Sequence, residues 1–204
     1  MKKGLFITFE GAEGSGKSTQ IKRAAAHLRK MGKRVLLLRE PGGTRVSEAI
    51  RAIILNKKFK EMSDATELLL YLAARAQIVR EKIMPALKAG KVVICDRFED
   101  STLAYQGFGR KISLRTIVSV SRELVRGSLR PDLTFLLDIP PSQGLKRGGR
   151  HDRIERQSLG FHHRVRRGFL KLAKKEPRRI KVLDARQPKN MVTHRIIKIL
   201  DQRF

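Results

Sequence analysis

The chain has 204 residues, 41% of them hydrophobic and 32% charged, and this length and composition suit one globular domain spanning residues 1–204. Its 46 Lys and Arg outnumber 19 Asp and Glu, and the resulting net charge of +27 predicts anionic partners. No apolar run approaches the roughly 20 residues of a membrane span, and the first strand pattern leaves no room for a signal or transit sequence, so we expect a cytoplasmic protein with no membrane partner.

Strand and helix patterns alternate along the chain, and the strand patterns are short apolar runs. Strands are predicted near residues 4–10, 34–39, 92–96, 133–138 and 180–184. Helices are predicted near residues 17–31, 46–56, 65–89, 113–126, 152–175 and 189–202. This alternation predicts an α/β fold in which helices cover both faces of a parallel sheet. Cys95, the only cysteine, lies in the third strand, which excludes an internal disulfide and predicts a buried core residue.

A phosphate-binding loop is the most specific motif. Gly11, Gly16, Lys17 and Ser18 complete the pattern G-x-x-x-x-G-K-[ST] between a predicted strand and a predicted helix. Glycines allow consecutive backbone N–H groups to converge on a phosphate, the helix start adds the positive end of its dipole, and Lys17 adds a charge. Ser18 is placed to ligate magnesium. The motif therefore predicts that the chain binds a nucleoside triphosphate.

Two further groups of residues follow in chain order. The sequence REPGGT at 39–44 closes the second strand, and its proline and glycines predict a turn that directs Glu40 and Thr44 towards the ligand edge of the sheet. In the third helix, Tyr71 and Arg75 are four residues apart and share a face. There an aromatic ring can stack on a base while the guanidinium hydrogen-bonds its edge. A generic turn and a core tyrosine are the alternative interpretations.

The end of the third strand carries more polar chemistry. Asp96 can hold magnesium there, directly or through water, and Arg97 can take a phosphate by two hydrogen bonds. A surface ion pair is the alternative for these two residues. The sequence STLAYQG at 101–107 then offers hydroxyl, phenol and amide groups, which suit a polar planar ligand.

The basic excess is concentrated between Lys146 and Lys181. Basic residues recur there at helical spacing, which favours a solvated helix face. Nucleic-acid association is the alternative that the charge allows, but it is not favoured, because no aromatic RNA-binding motif or zinc-ligand cluster accompanies it. Residues 144–152 are rich in glycine and basic side chains, which predicts a mobile loop over the ligand edge.

Taken together, these motifs resemble the bacterial thymidylate kinase family of P-loop nucleoside monophosphate kinases. The resemblance runs over nearly the full length, and also includes YLAAR at 71–75, RPDLTFLLD at 130–138 and DRIE at 152–155. It implies a three-layer P-loop NTPase fold with a five-stranded parallel sheet flanked by helices, a short arginine-rich lid at approximately 144–156, and a homodimer. The implied reaction is transfer of the γ-phosphoryl group of ATP to thymidine monophosphate (dTMP), giving ADP and dTDP, with Mg²⁺ as cofactor.

The resemblance also implies roles for individual residues. The residues that it assigns to ATP are Gly11, Ala12, Glu13, Gly14, Ser15, Gly16, Lys17, Ser18, Thr19, Arg147 and Arg150. The catalytic residues that it implies are Lys17, Glu13, Arg97 and Arg153, with Arg153 the first choice for the catalytic charge of the lid. The implied magnesium ligands are Ser18, Asp96 and Glu40.

On the acceptor side, the resemblance places Glu13 near the deoxyribose 3′-hydroxyl and the acceptor phosphate. Tyr71 takes the position of a base-stacking aromatic residue, Arg75 that of the contact to thymine O4, and Tyr105 that of a ring whose bulk disfavours a ribose. The complete set of residues that it assigns to dTMP is Glu13, Glu40, Arg51, Tyr71, Arg75, Arg97, Thr102, Tyr105 and Gln106.

Two other functions fit parts of this pattern. One is a kinase for another nucleotide or a small acceptor, which a panel of acceptors distinguishes. The other is a basic, nucleic-acid-associated NTPase, for which DNA or RNA would have to raise ATP hydrolysis while no nucleotide acceptor became phosphorylated.

Overall fold

A computed structural model describes residues 4–148 and 152–203. In these residues the strands are β1 (Leu5–Glu10), β2 (Val35–Arg39), β3 (Val92–Asp96), β4 (Leu133–Asp138) and β5 (Ile180–Asp184). They form a parallel sheet in the order β2-β3-β1-β4-β5. The predicted five-stranded parallel sheet is therefore confirmed, with each strand within about a residue of its predicted range.

Helices cover both faces of the sheet. The bounds are α1 (Lys17–Lys30), α2 (Arg45–Leu55), α3 (Asp64–Ile78), α4 (Met84–Lys88), α5 (Glu99–Thr102), α6 (Leu114–Val120), α7 (Pro141–Gly148), α8 (Leu159–Lys175) and α9 (Lys189–Asp201). Three π-helical segments continue α3, α5 and α6, over Val79–Ile83, Leu103–Gly109 and Ser121–Arg126. None of the described helices is long and apolar enough to cross a membrane.

Two predictions around residue 150 are wrong. The helix predicted over 152–175 begins at Leu159, because Ser158 caps it by accepting a hydrogen bond from the Phe161 N–H at 3.2 Å. The loop predicted over 144–152 is helical as far as Gly148, since the carbonyl of Pro140 starts a helical turn by accepting from the N–H groups of residues 143 and 144. Residues 149–151 lie outside the described part of the chain.

The core is built from side chains that alternate between the faces of the strands. On one face, Phe9 and Phe135 pack with their ring centroids 5.1 Å apart beneath α1 and α9. On the other face, Val93 and Cys95 pack against Ile78 of α3 and against the π-helical segment Val79–Ile83 and α4 that follow it. Cys95 is fully buried, as the sequence predicts.

The sheet register positions the polar residues. Phe9 in β1 lies opposite Asp96 in β3, and Asp96 lies opposite Arg39 in β2. Because these parallel strands end side by side, the loop after β1, Glu40 after β2 and Arg97 after β3 all leave the sheet at one edge.

Core packing predicts the first stability effect. Replacing fully buried Phe135 by Ala removes its contact with Phe9 and leaves a cavity, so Phe135→Ala lowers the free energy of unfolding by about 3–5 kcal/mol. Met191 is 51% exposed, and Met191→Ala changes the free energy of unfolding by at most about 0.5 kcal/mol. Urea unfolding measures both variants, and equal losses would contradict this account of the core.

Candidate active site

The loop after β1 wraps around a lysine. It ends at Gly16, whose left-handed conformation (φ 87°) precedes the first residue of α1. Gly11 has a φ of 134°, and a side chain there would collide with the Leu137 carbonyl. The Nζ of Lys17 donates to the carbonyl oxygens of Gly11 and Ala12, both at 3.0 Å. Burial lowers the pKa of this amine to about 8. The backbone carbonyl groups of the loop therefore hold the amine of Lys17 at the centre of the loop.

Two cavities meet at this loop. The loop cavity, of about 720 Å³, lies between residues 14–20 and residues 185–189, with Arg147 in its wall. The inner cavity, of about 320 Å³, lies on the side of the loop that faces Glu40, Arg97 and α3. Gly14, Lys17 and Ser18 line both cavities. Ligands bound in the two cavities would therefore lie next to each other at these three residues.

The inner cavity gathers residues from distant parts of the sequence. Its lining includes all the residues that the resemblance assigns to dTMP, namely Glu13, Glu40, Arg51, Tyr71, Arg75, Arg97, Thr102, Tyr105 and Gln106. The implied magnesium ligands Ser18, Asp96 and Glu40 lie in the same lining.

The loop cavity gathers most of the residues that the resemblance assigns to ATP. Those in its lining are Gly14, Ser15, Gly16, Lys17, Ser18, Thr19 and Arg147. Gly11 and Ala12 instead contact Lys17 through their carbonyl groups, and Glu13 faces the inner cavity. Arg150 lies outside the described residues.

Glu13, Arg97 and Tyr105 form a cluster at one wall of the inner cavity. The Tyr105 hydroxyl donates to the Glu13 carboxylate, 2.7 and 2.8 Å from its two oxygens. Arg97 Nη2 donates to Glu13 Oε1 at 2.9 Å, and its guanidinium carbon lies 5.1 Å from the Tyr105 ring centroid. Burial raises the pKa of Glu13, but the charges of Arg97 and Lys17 outweigh it, so that pKa lies below its usual value. Glu13 is therefore held as an oriented carboxylate.

Glu40 and Arg75, also in the lining of the inner cavity, form a buried ion pair. Arg75 Nε donates to Glu40 Oε2 at 2.7 Å. Arg75 is 2% exposed and Glu40 is 6% exposed. Burial raises the pKa of Glu40, although the nearby charge of Arg75 opposes that shift. Arg75 also stacks on Phe98, 4.9 Å from the ring centroid. The ion pair and the stacking fix the guanidinium in one orientation.

Several buried polar atoms in the wall of the inner cavity have no hydrogen-bond partner among the described residues. They are Glu40 Oε1, Arg75 Nη1, Asp96 Oδ1 and Thr102 Oγ1. Unpaired buried polar atoms are costly, and native proteins rarely keep several together without a function. Their shared position indicates that a polar ligand completes the site.

Oxygen atoms in the lining of the inner cavity fit magnesium. Asp96 Oδ1 and Glu40 Oε1 are buried oxygen atoms without a partner in the described chain, and Ser18 lines both cavities. No group of three or more His, Cys, Asp or Glu among the described residues could hold a metal ion. Two carboxylates and one hydroxyl suit Mg²⁺, which is bound through one or two carboxylates and completes its shell with phosphate and water.

Two residues lie elsewhere than expected. Thr44 does not line the inner cavity; its hydroxyl caps α2 by accepting from the Ser47 N–H at 3.1 Å, so the interpretation that it points into the cleft is wrong. Arg153 lines neither cavity: its Nη2 donates to Glu67 at 2.7 Å and its Nε donates to the Ile54 carbonyl at 2.9 Å.

Sequence reasoning missed two buried carboxylates that support the site. Glu10 accepts from the Phe98 N–H at 2.8 Å and from the Ser101 hydroxyl at 2.5 Å, and Ser101 accepts from Arg97 at 3.2 Å. Glu10 ends β1, so the rule that singled out Asp96 at the end of β3 applies to it equally. The second carboxylate, Glu67, stands one helical turn before Tyr71, and extending the helix face of Tyr71 and Arg75 backwards reaches it.

The parallel sheet and the lysine-centred loop at its carboxyl edge define a P-loop nucleotide-binding protein. Comparison with known proteins narrows this class. The thymidylate kinase family model matches residues 9–196. The chain therefore belongs to the thymidylate kinase family, and it is a nucleoside monophosphate kinase, a type of phosphotransferase.

Individual relatives agree with this assignment. A thymidylate kinase of Geobacter sulfurreducens is 55% identical over 190 residues, which cover 89% of each chain. One of Deinococcus radiodurans is 48% identical over 206 aligned positions, covering 100% of this chain and 99% of its own. The crystal structure of thymidylate kinase from Ehrlichia chaffeensis is 36% identical, with a TM-score of 0.79 and coverage of 98% of this chain and 99% of that chain.

The environment of Glu10 predicts a pH effect on stability. Burial, reinforced by the charge of Asp100, raises the pKa of Glu10 from 4.5 to about 8. Between these values the folded state holds a proton that the unfolded state has lost, so this group's stabilising contribution declines as pH rises through that window. As the pH rises from about 5 to 8, the free energy of unfolding of the wild type therefore falls relative to that of Glu10→Gln. Urea unfolding at several pH values tests this, and parallel pH profiles would contradict it.

Proposed function

We propose that the chain transfers the γ-phosphoryl group of ATP to dTMP, with ATP in the loop cavity and dTMP in the inner cavity. The observation that carries this assignment is the meeting of the two cavities at Lys17 and Ser18. Two phosphate chains that enter from opposite sides then face each other at a cation. Holding both reactants in line supplies much of the catalysis in phosphoryl transfer, because the acceptor oxygen is already a nucleophile.

The donor is bound mainly by backbone. Residues 14–19 wrap the end of the loop cavity and lead into α1, whose N-terminal N–H groups and dipole favour a polyphosphate. Lys17 exchanges its contacts with the carbonyls of Gly11 and Ala12 for phosphate oxygens. The negative charge of the phosphates favours the protonated amine, which counteracts the effect of burial on its pKa.

The acceptor is bound by side chains that differ along the inner cavity. Arg97, which donates to the Gly11 carbonyl of the loop at 3.0 Å, and Arg51 supply the positive charge for the monophosphate. In the same lining, Tyr71 offers an aromatic face for the base, and the unpaired Nη1 of Arg75 offers a donor for a carbonyl oxygen such as O4 of thymine. Thr102 adds an unpaired hydroxyl at the same wall.

Sugar selection depends on Glu13 and Tyr105. The phenol hydroxyl is engaged with the carboxylate, so the ring is fixed and cannot move aside for an additional hydroxyl group. The Glu13 carboxylate accepts from donors and therefore suits the 3′-hydroxyl of a deoxyribose. A rigid ring beside the sugar disfavours the 2′-hydroxyl of a ribonucleotide by steric exclusion.

Magnesium is part of this proposal. Ser18, Asp96 and Glu40 are the residues that would hold it, through the serine hydroxyl and the unpaired carboxylate oxygens. When bound, Mg²⁺ neutralises phosphate charge that develops during transfer. The chain itself contributes the ammonium of Lys17, which lines both cavities, and the guanidinium of Arg97 in the lining of the inner cavity.

We further propose that residues 144–156 act as a lid. A side chain on Gly14 would collide with the Gly144 carbonyl, and one on Gly144 would collide with the Glu13 carbonyl, so α7 rests directly on the phosphate loop. Arg147 on this helix lines the loop cavity, where it can contact the donor. Arg153 is paired with Glu67 and must change partner to reach the phosphates. The single-domain organisation, the homodimer and the cytoplasmic location stay predictions, and nucleic-acid association stays a disfavoured alternative.

An acceptor panel tests the substrate assignment. ADP release with ATP is expected to be highest with dTMP and lower with dUMP, and dCMP, AMP and GMP should be poor acceptors. Lys17→Ala removes a charge-assisted phosphate contact and should lower kcat by about 10²-fold or more. Lys22→Ala, an exposed change on the same helix, is the matched control and should retain wild-type turnover. A purine preference, or near-normal turnover of Lys17→Ala, would overturn the assignment.

The two described lid arginines make different predictions. Arg153→Ala is expected to lower kcat by about 10³-fold while the KM for ATP changes little, because a lid guanidinium that stabilises transferring charge acts in the transition state. Arg147→Ala is expected mainly to raise the KM for ATP, since Arg147 lines the donor space. The melting temperatures of the variants show whether a kinetic change comes instead from the loss of stability that removal of the Arg153–Glu67 ion pair causes. Unchanged kcat in Arg153→Ala would transfer the catalytic charge to another residue.

A further inference from the structure

Glu67 lies beneath the inner cavity and is saturated with hydrogen-bond donors. It is completely buried in α3. Its Oε1 accepts from Gln106 Nε2 at 2.9 Å and from Arg110 Nε at 3.1 Å. Its Oε2 accepts from Arg110 Nη2 at 2.9 Å and from Arg153 Nη2 at 2.7 Å. Glu67 does not line the inner cavity, whereas Gln106 does, so Glu67 can act on a ligand only through its neighbours.

The contacts keep Glu67 ionised. Burial alone would raise its pKa, but the hydrogen bonds and charges of Arg110, together with Gln106 and Arg153, outweigh burial and hold the pKa below its usual value. An ionised carboxylate has no proton to donate. The atom of Gln106 that faces it must therefore be the amide nitrogen, on chemical grounds as well as by the geometry.

We infer that Glu67 is a positioning residue for base selection, because it fixes which end of the Gln106 amide faces the ligand. With its nitrogen on Glu67, Gln106 presents its carbonyl oxygen, an acceptor, to the cavity that it lines. Arg75, in the lining of the same cavity, presents Nη1, a donor without a partner in the described chain. The lining thus offers one donor and one acceptor, each set by a buried glutamate: Glu40 orients the guanidinium of Arg75, and Glu67 decides which end of the Gln106 amide faces the cavity.

This arrangement distinguishes pyrimidines by chemistry. Thymine and uracil present a carbonyl acceptor at O4 and an N–H donor at N3, which complement a fixed donor and a fixed acceptor. Cytosine presents an amino donor at position 4 and an acceptor at N3. A donor would then face the donor of Arg75, and an acceptor would face the acceptor of Gln106. A buried polar group left without its partner costs far more than a missing methyl contact, and sites built this way reject the mismatched ligand strongly.

Glu67→Gln tests the inference, which rests on the proposed function. Arg110 Nη2 and Arg153 both donate to the Oε2 position, so the oxygen of the substituted amide stays there and its NH₂ group takes the Oε1 position. That NH₂ group faces Gln106 and favours reversal of its amide, while the Arg110 Nε that also donated to Oε1 loses its acceptor. The ratio of kcat/KM for dTMP over dCMP is expected to fall by about tenfold or more, with dUMP following dTMP. The KM for ATP should be unchanged.

Arg110→Gln is the matched control. It removes the Arg110 hydrogen bonds to both oxygens of Glu67 but leaves the charge of Arg153 on Oε2 and the oxygen that accepts from Gln106. Its stability should fall while the dTMP to dCMP ratio stays within about twofold of wild type. Glu67→Gln leaves Arg110 and Arg153 without this counter-charge, and the variant can fail to fold for that reason. In that case the double variant Glu67→Gln/Arg110→Gln restores the charge balance, and its dTMP to dCMP ratio should fall as expected for Glu67→Gln alone.

The outcomes separate the two proposals. If wild type does not phosphorylate dTMP, the proposed function fails. If wild type does so but the folded Glu67 variants lose activity on dTMP, dUMP and dCMP in equal proportion, Glu67 is a structural residue and this inference is wrong. A Gln106→Met background provides a further check, because Glu67→Gln should then leave the ratio unchanged, and an additional fall would contradict transmission through Gln106.

Discussion

The parallel register of β1, β2 and β3 is the constraint on which the site depends. Phe9 pairs with Asp96 and Asp96 with Arg39, so all three strands end at one level. The phosphate loop, the Glu40 turn and Arg97 then start from one edge. A shift of one residue in any strand would reverse its side chains between the faces of the sheet, burying polar groups and exposing the core. The hydrophobic alternation that builds the core therefore also fixes the geometry of the two cavities.

Buried acids paired with arginines form a second layer of organisation. In a chain with net charge +27, scarce carboxylates lie where they fix cations: Glu13 on Arg97, Glu40 on Arg75, Glu67 on Arg110 and Arg153. Buried pairs of this kind contribute little net stability, because desolvation offsets much of their attraction. Their effect here is orientation, since each guanidinium or amide can face the ligand in only one way.

The sequence was sufficient for the sheet and the phosphate loop, because those features depend on local patterns and on strand ends. The residues expected in the inner cavity came from the family resemblance, and all of them lie in its lining. The sequence was insufficient where a local cap was overlooked and where long-range contacts decide. The start of α8 at Leu159 depends on a capping serine, and α7 depends on a turn set by Pro140 against the loop. Thr44 has the same chemistry as a ligand-binding threonine, and only the helix that follows shows that it is a cap. Glu10 and Glu67 were missed because a buried acid within an apolar segment reveals its partners only in three dimensions.

The amine of Lys17, resting on the loop's own carbonyls, has a consequence for energetics. The loop is already curved around a cation before any nucleotide arrives, so much of the ordering entropy is lost during folding rather than during binding. Since burial holds this amine's pKa at about 8, a fraction of empty molecules carries it neutral in mildly alkaline solution. A polyanion bound beside this amine would raise its pKa again, so nucleotide binding in such a solution would be accompanied by uptake of a proton from the buffer.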